Sequence, residues 1–305
     1  MSELHQILES YGRQRALDFD FERPEIEAAA MYMADEDSGI GFLYSGWCQA
    51  ALPHRRLPDD KGWQLSSDQV CLIIQPGMKR GSEGEPVPVG VPYGSRARLI
   101  LIYMQSEAIR TNSRDIELGK SLRSWMGRMG IPIGGKNLQI VREQAERLSR
   151  CRLSFEVVRG ATRGLSNQSI VDSAIFLESD SDVSGNQQFM QTARLSEGFF
   201  EGLKRHPVPL EEAAIKALSN NSMALDIYCW LAYRLHSLTS PTPISWKALK
   251  IQFGASYSQL NNFRSRFIPN LNLALAVYPR ARITEMEQRK GLILSLIHIS
   301  EPTRP

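Results

Sequence analysis

Residues 121–150 read SLRSWMGRMGIPIGGKNLQIVREQAERLSR. Apolar residues at helical spacing predict a short helix over 121–129, and glycines with a proline break the chain at 130–135. The next apolar residues recur at spacings of 3, 4 and 3, which predicts a helix over 136–150 with one buried face. The residues on that face are Leu138, Val141, Ala145 and Leu148. Two helices joined by a tight glycine turn form the centre of a helix-turn-helix.

The flanking residues extend this pattern. A helix is predicted over 95–110, with Ser95 as its N-cap. After the helix pair, strands 152–158 and 169–176 are predicted to form a hairpin joined by an Arg- and Gly-containing loop. Helix, short helix, turn, helix and hairpin is the order of a winged helix-turn-helix.

The same order recurs toward the C-terminus. The predicted helices are 210–219, 222–238, 245–253 with Ser245 as N-cap, and 257–278, which Pro269 should kink or divide; the predicted strands are 280–285 and 291–293. The expected fold class is therefore α+β and mostly helical. It comprises two tandem winged helix-turn-helix domains with a β-containing N-terminal extension.

The expected organisation has five parts. They are an acidic N-terminal extension (1–40), a first winged-helix domain with a β-rich lead-in (41–176), an acidic linker (177–207), a second winged-helix domain (208–293) and a tail (294–305). The tail reads LSLIHISEPTRP and resembles a sequencing-library adapter translated in frame. We therefore expect that it is not native, that the native end beyond about residue 293 is missing, and that His298 has no role.

Charge is unevenly distributed along the chain. Residues 79–165 hold 16 basic and 8 acidic residues, and residues 199–293 hold 12 and 6, whereas residues 1–78 hold 6 and 13. Two basic blocks separated by an acidic segment are typical of a protein that binds a polyanion. The acidic N-terminal segment could be a solvated helix face, bind basic partners or mask a DNA surface.

Composition excludes several classes of protein. A 42% hydrophobic content over 305 residues is sufficient for folded cores. The apolar runs are too short to cross a bilayer, and the N-terminus carries no signal-peptide pattern, so no membrane partner is expected. Four scattered cysteines without a CxxC pair argue against a zinc ribbon or a disulfide framework and favour a cytoplasmic protein.

The outer faces of the two third helices carry side chains suited to DNA. Asn and Gln pair with adenine, and Arg pairs with guanine or phosphate. The candidate DNA-binding residues are Lys136, Asn137, Gln139, Arg142, Arg147 and Arg150 in the first unit, and Tyr257, Ser258, Asn261, Asn262, Arg264 and Arg266 in the second. The alternative is that both are ordinary solvated faces of amphipathic helices.

Several sequence blocks occur together in one order. They are GFLYSGWCQAALPHRR (41–56), VPYGSRARLILIY (91–103), ELGKS (117–121), IGGKN (133–137), REQAER (142–147), ISWKAL (244–249), QFG (252–254) and AVYP (276–279). In this order the chain resembles the plasmid-encoded RepA-type replication initiators over about residues 38–293.

The resemblance implies a function. Such proteins bind double-stranded plasmid origin DNA, often at direct repeats called iterons, help to open the duplex, and gather the host initiator and helicase. Some repress their own transcription, and self-association is a further expectation. The alternative from another class is a plasmid transcriptional repressor or copy-number regulator without an initiator role.

The sequence contains no complete motif of a catalytic site. Residues 130–137 match GxxxxGK, but Asn137 stands where a phosphate loop needs Ser or Thr, and a helix precedes the first glycine instead of a strand. The histidines before the tail are isolated, so neither a metal site nor the histidine pair of a nicking enzyme is predicted. We expect a non-enzymatic protein without a cofactor, in which Trp125 and Trp230 belong to the core.

Overall fold

The computed structural model describes residues 2–35, 38–66, 70–132, 134–159, 162–178, 188–287 and 290–296. Its helices are α1 (Glu3–Ala16), α2 (Arg23–Met33), α3 (Ser45–Gln49), α4 (Gly94–Thr111), α5 (Gly119–Arg128), α6 (Gly135–Arg150), α7 (Glu197–Arg205), α8 (Glu212–Leu218), α9 (Ser222–His236), α10 (Trp246–Phe253) and α11 (Leu260–Ala276). Within the described ranges, none of them is both long enough and apolar enough to span a bilayer.

The strands are shorter elements distributed along the chain. They are β1 (Ile40–Tyr44), β2 (Trp63–Ser66), β3 (Val70–Gln75), β4 (Met78–Arg80), β5 (Pro86–Pro88), β6 (Asp115–Glu117), β7 (Arg152–Arg159), β8 (Thr162–Ser169), β9 (Val171–Glu178), β10 (Gln188–Leu195), β11 (Pro207–Glu211), β12 (Thr242–Ser245), β13 (Ala281–Glu285) and β14 (Gly291–Leu296). The described residues form both helices and strands, with more residues in helices, so the α+β class is confirmed.

Helix α4 is the central element of the first unit, defined here as residues 94–195. Every residue of α4 from 97 to 106 is buried. Two of these residues bind one edge of strand β1: Gln105 Oε1 accepts from Tyr44 N at 2.7 Å and Ser106 Oγ accepts from Phe42 N at 2.8 Å. The other edge of β1 pairs with β11, so the described backbone groups of this strand are bonded on both sides.

The first unit and the second unit, residues 222–296, contain sheets of the same order. In the first unit β10 lies between β6 and β9, and in the second β14 lies between β12 and β13; all four pairings are antiparallel. In each unit the first strand precedes a helix pair, α5–α6 or α10–α11, and the other two strands follow it. The two units therefore share one topology, and the first contains an additional hairpin, β7–β8.

The predicted pairing of strands 152–158 and 169–176 is wrong. Strand β7 pairs with β8 on one side and with β3 on the other, whereas β9 pairs with β10. The contact with β3 joins buried apolar residues across the strands, with Leu72 opposite Phe155 and Ile74 opposite Leu153. Apolar alternation identifies β7 as a strand. It does not identify β3 as a partner, because β3 lies about 80 residues earlier in the sequence.

Much of the segment 177–207 is structured rather than a linker. Strand β10 lies in it, and so does α7, whose N-cap Ser196 accepts from Phe199 N through its side chain. Phe199, Phe200 and Leu203 are buried on one face of α7. Residues 179–187, the most polar part of the expected linker, lie outside the described residues.

Some helix ends differ from the predictions. Helix α4 begins at Gly94 with Tyr93 as its N-cap, so the prediction for Ser95 is wrong. Ser245 is confirmed as the N-cap of α10, because its Oγ accepts from Ala248 N at 3.1 Å. Pro269 lies inside α11, but the helix continues to Ala276.

The acidic N-terminal segment packs against the second unit. Helix α2 contacts α8 and α11, and Glu25 Oε1 accepts from Asn272 Nδ2 at 2.9 Å. The ring of His5 is buried, and its Nε2 lies 2.8 Å from the Ala276 carbonyl oxygen. The acidic segment therefore forms helices that have one buried face and one exposed face.

Two further predictions concern buried residues. Trp125 and Trp230 are confirmed as core residues, with 2% and 3% exposure. Strand β14 continues through Leu296, and Leu294, the first residue of the expected foreign tail, is fully buried against the sheet. Residues 297–305 lie outside the described residues.

A buried ion pair joins the two units. Arg98 on α4 binds both carboxylate oxygens of Asp226 on α9, at 2.6 and 2.7 Å, and these side chains are 6% and 11% exposed. The remaining guanidinium N–H groups donate to the carbonyls of Leu52, Pro53 and Gly94. Each of the five donors is satisfied, which a buried guanidinium requires.

His54 lies beside this pair as a neutral ring. Its Nδ1 lies 3.0 Å from Ser222 Oγ and 3.4 Å from an Arg98 nitrogen. Burial, followed by the nearby charge of Arg98, lowers the pKa of His54 to about 4. The segment around His54 is therefore attached to both units.

We predict that Asp226→Asn lowers the free energy of unfolding by about 3–5 kcal/mol, because it leaves a buried cation without its anion. Urea unfolding measures the loss. The matched control is Asp115→Asn, which breaks an exposed pair with Arg194 and should cost less than about 1 kcal/mol. Equal effects of the two substitutions would contradict this role of the buried pair.

We predict that His54 contributes to acid sensitivity. Its pKa lies below the usual value of about 6.5, so the unfolded chain binds a proton that the folded chain does not, and stability falls as the pH drops from about 6.5 to about 4. His54→Asn should lose less stability between pH 7 and pH 4 than the wild type, as followed by thermal unfolding. His236→Asn, at an exposed histidine, is the control and should match the wild type.

Candidate nucleic-acid interface

Helix α6 begins after a turn that requires glycine. Gly130 has φ +71° and Gly135 has φ +48°, which are left-handed conformations that favour glycine. The helix then runs for 16 residues, and its C-terminal half packs inward: Gln144 is fully buried and its Oε1 accepts from Tyr93 N at 2.8 Å. The fully exposed residues of α6 therefore lie in its N-terminal part, and its C-terminal half is buried or half-buried.

The predicted contacts in that N-terminal part are accessible. Lys136 and Gln139 are exposed, and Asn137 is half-buried. Arg142, one turn farther along, is half-buried and has a partner in the protein. This is the part of a recognition helix that contacts base edges in helix-turn-helix proteins.

Arg147 is a structural residue, which corrects its assignment to the interface. Its side chain is 3% exposed. The guanidinium donates to Asp59 at 2.8 Å, to Glu143 at 3.1 Å and to the Val91 carbonyl at 3.2 Å, and it lies over the Tyr93 ring. The contacts attach the C-terminal half of α6 to the preceding loops.

The charge of Arg147 also controls Asp59. Burial acts to raise the pKa of Asp59, but the hydrogen bond and charge of Arg147, followed by those of Arg56, hold that pKa below its usual value. Asp59 therefore stays ionised and keeps both arginines in place. Neither cation is available as an unpaired charge.

Arg150 is also turned toward the protein. Its guanidinium donates to the Met78 carbonyl at 3.1 Å and pairs with Glu146 at 3.4 Å. The backbone of Gly77 is so close that a Cβ there would collide with the Arg150 carbonyl. Arg150 thus holds the loop before β4, and we remove it from the candidate interface.

The second set of predicted residues lies at the start of α11. The exposed members are Ser258, Asn261, Asn262 and Arg266. Ser258 precedes the helix, which begins at Leu260. Tyr257 is half-buried, with its ring centroid 5.9 Å from that of Phe263, so it supports the turn before α11.

Arg264 is held within the second unit. It lies 4.8 Å above the Trp246 ring and donates to Glu285 Oε1 on β13 at 3.1 Å. The contacts join α11 to α10 and to the sheet. Arg264 therefore stabilises the unit that carries the neighbouring asparagines, and its side chain is 24% exposed, so it stays a predicted DNA contact.

A cleft beside α11 brings in a residue that the helix-face analysis missed. It has a volume of about 270 Å³ and lies between residues 51–65 and the second unit. Arg55 and Arg266 both line it. Arg55 belongs to the sequence block at 41–56 that carries part of the family resemblance, which could have pointed to it. No local pattern placed it next to α11, which begins about 200 residues later.

Comparisons with known proteins agree with this architecture. A family model described as plasmid-encoded RepA protein matches residues 91–247, about half of the chain. A crystal structure of domains 2 and 3 of RctB, as a selenomethionine derivative, matches with a TM-score of 0.52 at 10% identity, covering 83% of this chain and 98% of that one. A second RctB domain 2–3 structure matches over the same shares, with a TM-score of 0.45. No curated protein sequence matches.

We predict that Arg147 and Gln139 have separable roles. Arg147→Ala should lower the free energy of unfolding by about 1–3 kcal/mol, because it removes charge-assisted bonds to Asp59 and Glu143. Gln139→Ala, at an exposed position, should change it by less than about 0.5 kcal/mol. Urea unfolding compares the two. A fully stable Arg147→Ala protein would return Arg147 to the list of surface contacts.

Proposed function

Because the chain belongs to the family of plasmid-encoded RepA proteins, we propose that it is a replication initiator that binds double-stranded origin DNA at specific sequences. The observation that carries the proposal is the pair of exposed polar helix starts, on α6 and α11, each within a basic block of the sequence. The RctB match supports the fold alone.

We interpret each unit as a winged helix-turn-helix. The repeated sheet order supports this, since in both units the strand before the helix pair lies at one edge and a hairpin that follows the pair completes the sheet. In the first unit the wing is β9–β10, not the hairpin expected from the sequence. The third helices, α6 and α11, are then the recognition helices.

The proposed DNA contacts are the predicted residues that remain accessible. They are Lys136, Asn137, Gln139 and Arg142 on α6, and Tyr257, Ser258, Asn261, Asn262, Arg264 and Arg266 around the start of α11. Amide side chains can read adenine, and the cations can bind guanine or phosphate. Each unit should enter a major groove on the same face of the duplex, with the grooves about one turn, roughly 34 Å, apart.

Further parts of the proposal concern partners and chemistry. In the cytoplasm, the protein would bind iterons, promote opening of the origin, gather the host initiator and helicase, and self-associate. The role is binding without a catalytic step or a cofactor. A supercoiled-plasmid nicking assay tests that point, and strand cleavage dependent on this protein would overturn it.

The direct test is titration of the protein onto its own flanking plasmid DNA and onto random duplex at several salt concentrations. We expect a preference for the native segment of about 10³-fold or more and a steep salt dependence. A footprint over direct repeats beside an AT-rich segment supports the initiator. A footprint over a single inverted repeat in a promoter favours a repressor, and equal binding to both DNAs would refute specific recognition.

We predict that Asn261→Ala weakens binding to the native site by about 1–3 kcal/mol, because an amide that reads a base edge is lost. Binding to random duplex should change little, so the preference itself should fall. Fluorescence anisotropy with both DNAs measures this. The control is Arg23→Ala, at an exposed residue of α2 paired with Glu27, which should leave both affinities unchanged.

A further inference from the structure

The cleft between residues 51–65 and the second unit has an unusual charge pattern. Two arginines and one histidine line it, and among the described lining residues there is no aspartate or glutamate. Asp226 lies 3.9 Å from His54 but does not line the cleft, and it is already bound by Arg98.

The two arginines of the cleft differ from the other arginines described above. Arg98, Arg147 and Arg264 each bind a carboxylate of the protein. Arg55 and Arg266 are exposed, and in the described part of the chain no carboxylate contact is found for either guanidinium. Two like charges that share one cleft without a nearby acid favour an anionic ligand.

Both arginines project from backbone that is held in place. On one side, the carbonyls of Leu52 and Pro53 accept from Arg98, and His54 is bonded to Ser222. On the other, Arg266 immediately precedes the fully buried Phe267 on α11. The backbone that carries both arginines is therefore fixed before a ligand arrives, which reduces the backbone entropy lost on binding.

We propose that this cleft is a phosphate-binding site in which Arg55 and Arg266 bind one phosphate group from opposite sides. Guanidinium groups bind phosphate oxygens through two parallel hydrogen bonds. Ser256 also lines the cleft, as do Asn221 and Gln252, which are bonded to Ala224 N and to the Cys48 carbonyl. The phosphate could belong to the backbone of bound DNA or to a free phosphorylated molecule. The first version rests on the proposed function, and the second does not.

In the DNA version, the residues before the first unit take part in binding by the second. Arg266 and Asn262 lie one helical turn apart on α11, so a strand whose bases are read by the start of this helix would pass the cleft with its backbone. Arg55 would then bind sequence-independently.

The DNA experiment compares Arg55→Ala, Arg266→Ala and Arg56→Ala in the full chain. Arg56 is the matched control, because it adjoins Arg55 and is exposed but pairs with Asp59 at 3.0 Å. We expect the first two variants to bind both native and random duplex about tenfold more weakly and to lower the salt slope by about 1. The double variant should lose less than the sum, because both residues bind one phosphate.

The free-ligand experiment uses inorganic phosphate and dAMP. Thermal unfolding is followed in each of them and in chloride at equal ionic strength. We expect both phosphate probes to stabilise the wild type and Arg56→Ala, but not Arg55→Ala or Arg266→Ala. Circular dichroism of each variant checks that the fold is retained.

The outcomes separate the two proposals. Effects of both cleft variants in the DNA experiment assign the phosphate to DNA, and effects in the free-ligand experiment alone assign it to a small molecule. If Arg55→Ala behaves like Arg56→Ala in both experiments, the phosphate site is refuted even where Arg266→Ala binds DNA weakly. If the wild type shows no preference for its own DNA, the proposed function fails, whatever the phosphate probes show.

Discussion

The Arg98–Asp226 pair is the interaction on which the arrangement of the two units depends. A buried guanidinium is stable only when its charge is paired and its donors are satisfied, and here the acceptors come from α4, α9 and the segment at residues 52–53. Three separate parts of the chain must come into contact to satisfy this guanidinium. Helix α6 packs on α4, and α11 packs on α9. The contact between α4 and α9 therefore sets the position of α6 relative to α11.

The distribution of acids decides which arginines are available to a ligand. Arg147 and Arg264 lie on helix faces that look polar in sequence, yet each is bound by a carboxylate from another element, Asp59 or Glu285. Arg55 and Arg266 lack such a partner within the described residues and share a cleft. Among the cations of the candidate interface and the cleft, those without a carboxylate partner in the described residues therefore include Lys136 at the start of α6 and Arg55 and Arg266 beside α11.

Local pattern predicted most of the helices because helical periodicity is a short-range property. Helices α4, α5, α6, α9 and α10 lie within a few residues of their predicted ranges, and α11 begins three residues late, at Leu260. Strand partners were predicted less well. The sequence around Phe155 indicates a strand, but nothing near it indicates that Leu72 lies opposite. The candidate interface shows the same limit of local pattern. Asn261 and Gln139 were predicted from the polar faces of their helices, whereas Arg55, which belongs to no predicted helix, was not.

The sequence by itself determined the helix pairs α5–α6 and α10–α11, the basic blocks and the family, because each of these depends on residue types at short spacing or in a fixed order. The tertiary structure alone decided which hairpin completes the first sheet, that the acidic N-terminal helices cover the second unit, and which cations are neutralised. The physical reason is that strand pairing, ion pairing and burial join residues far apart in the chain. Their outcome depends on which elements meet, and a local pattern does not contain that information.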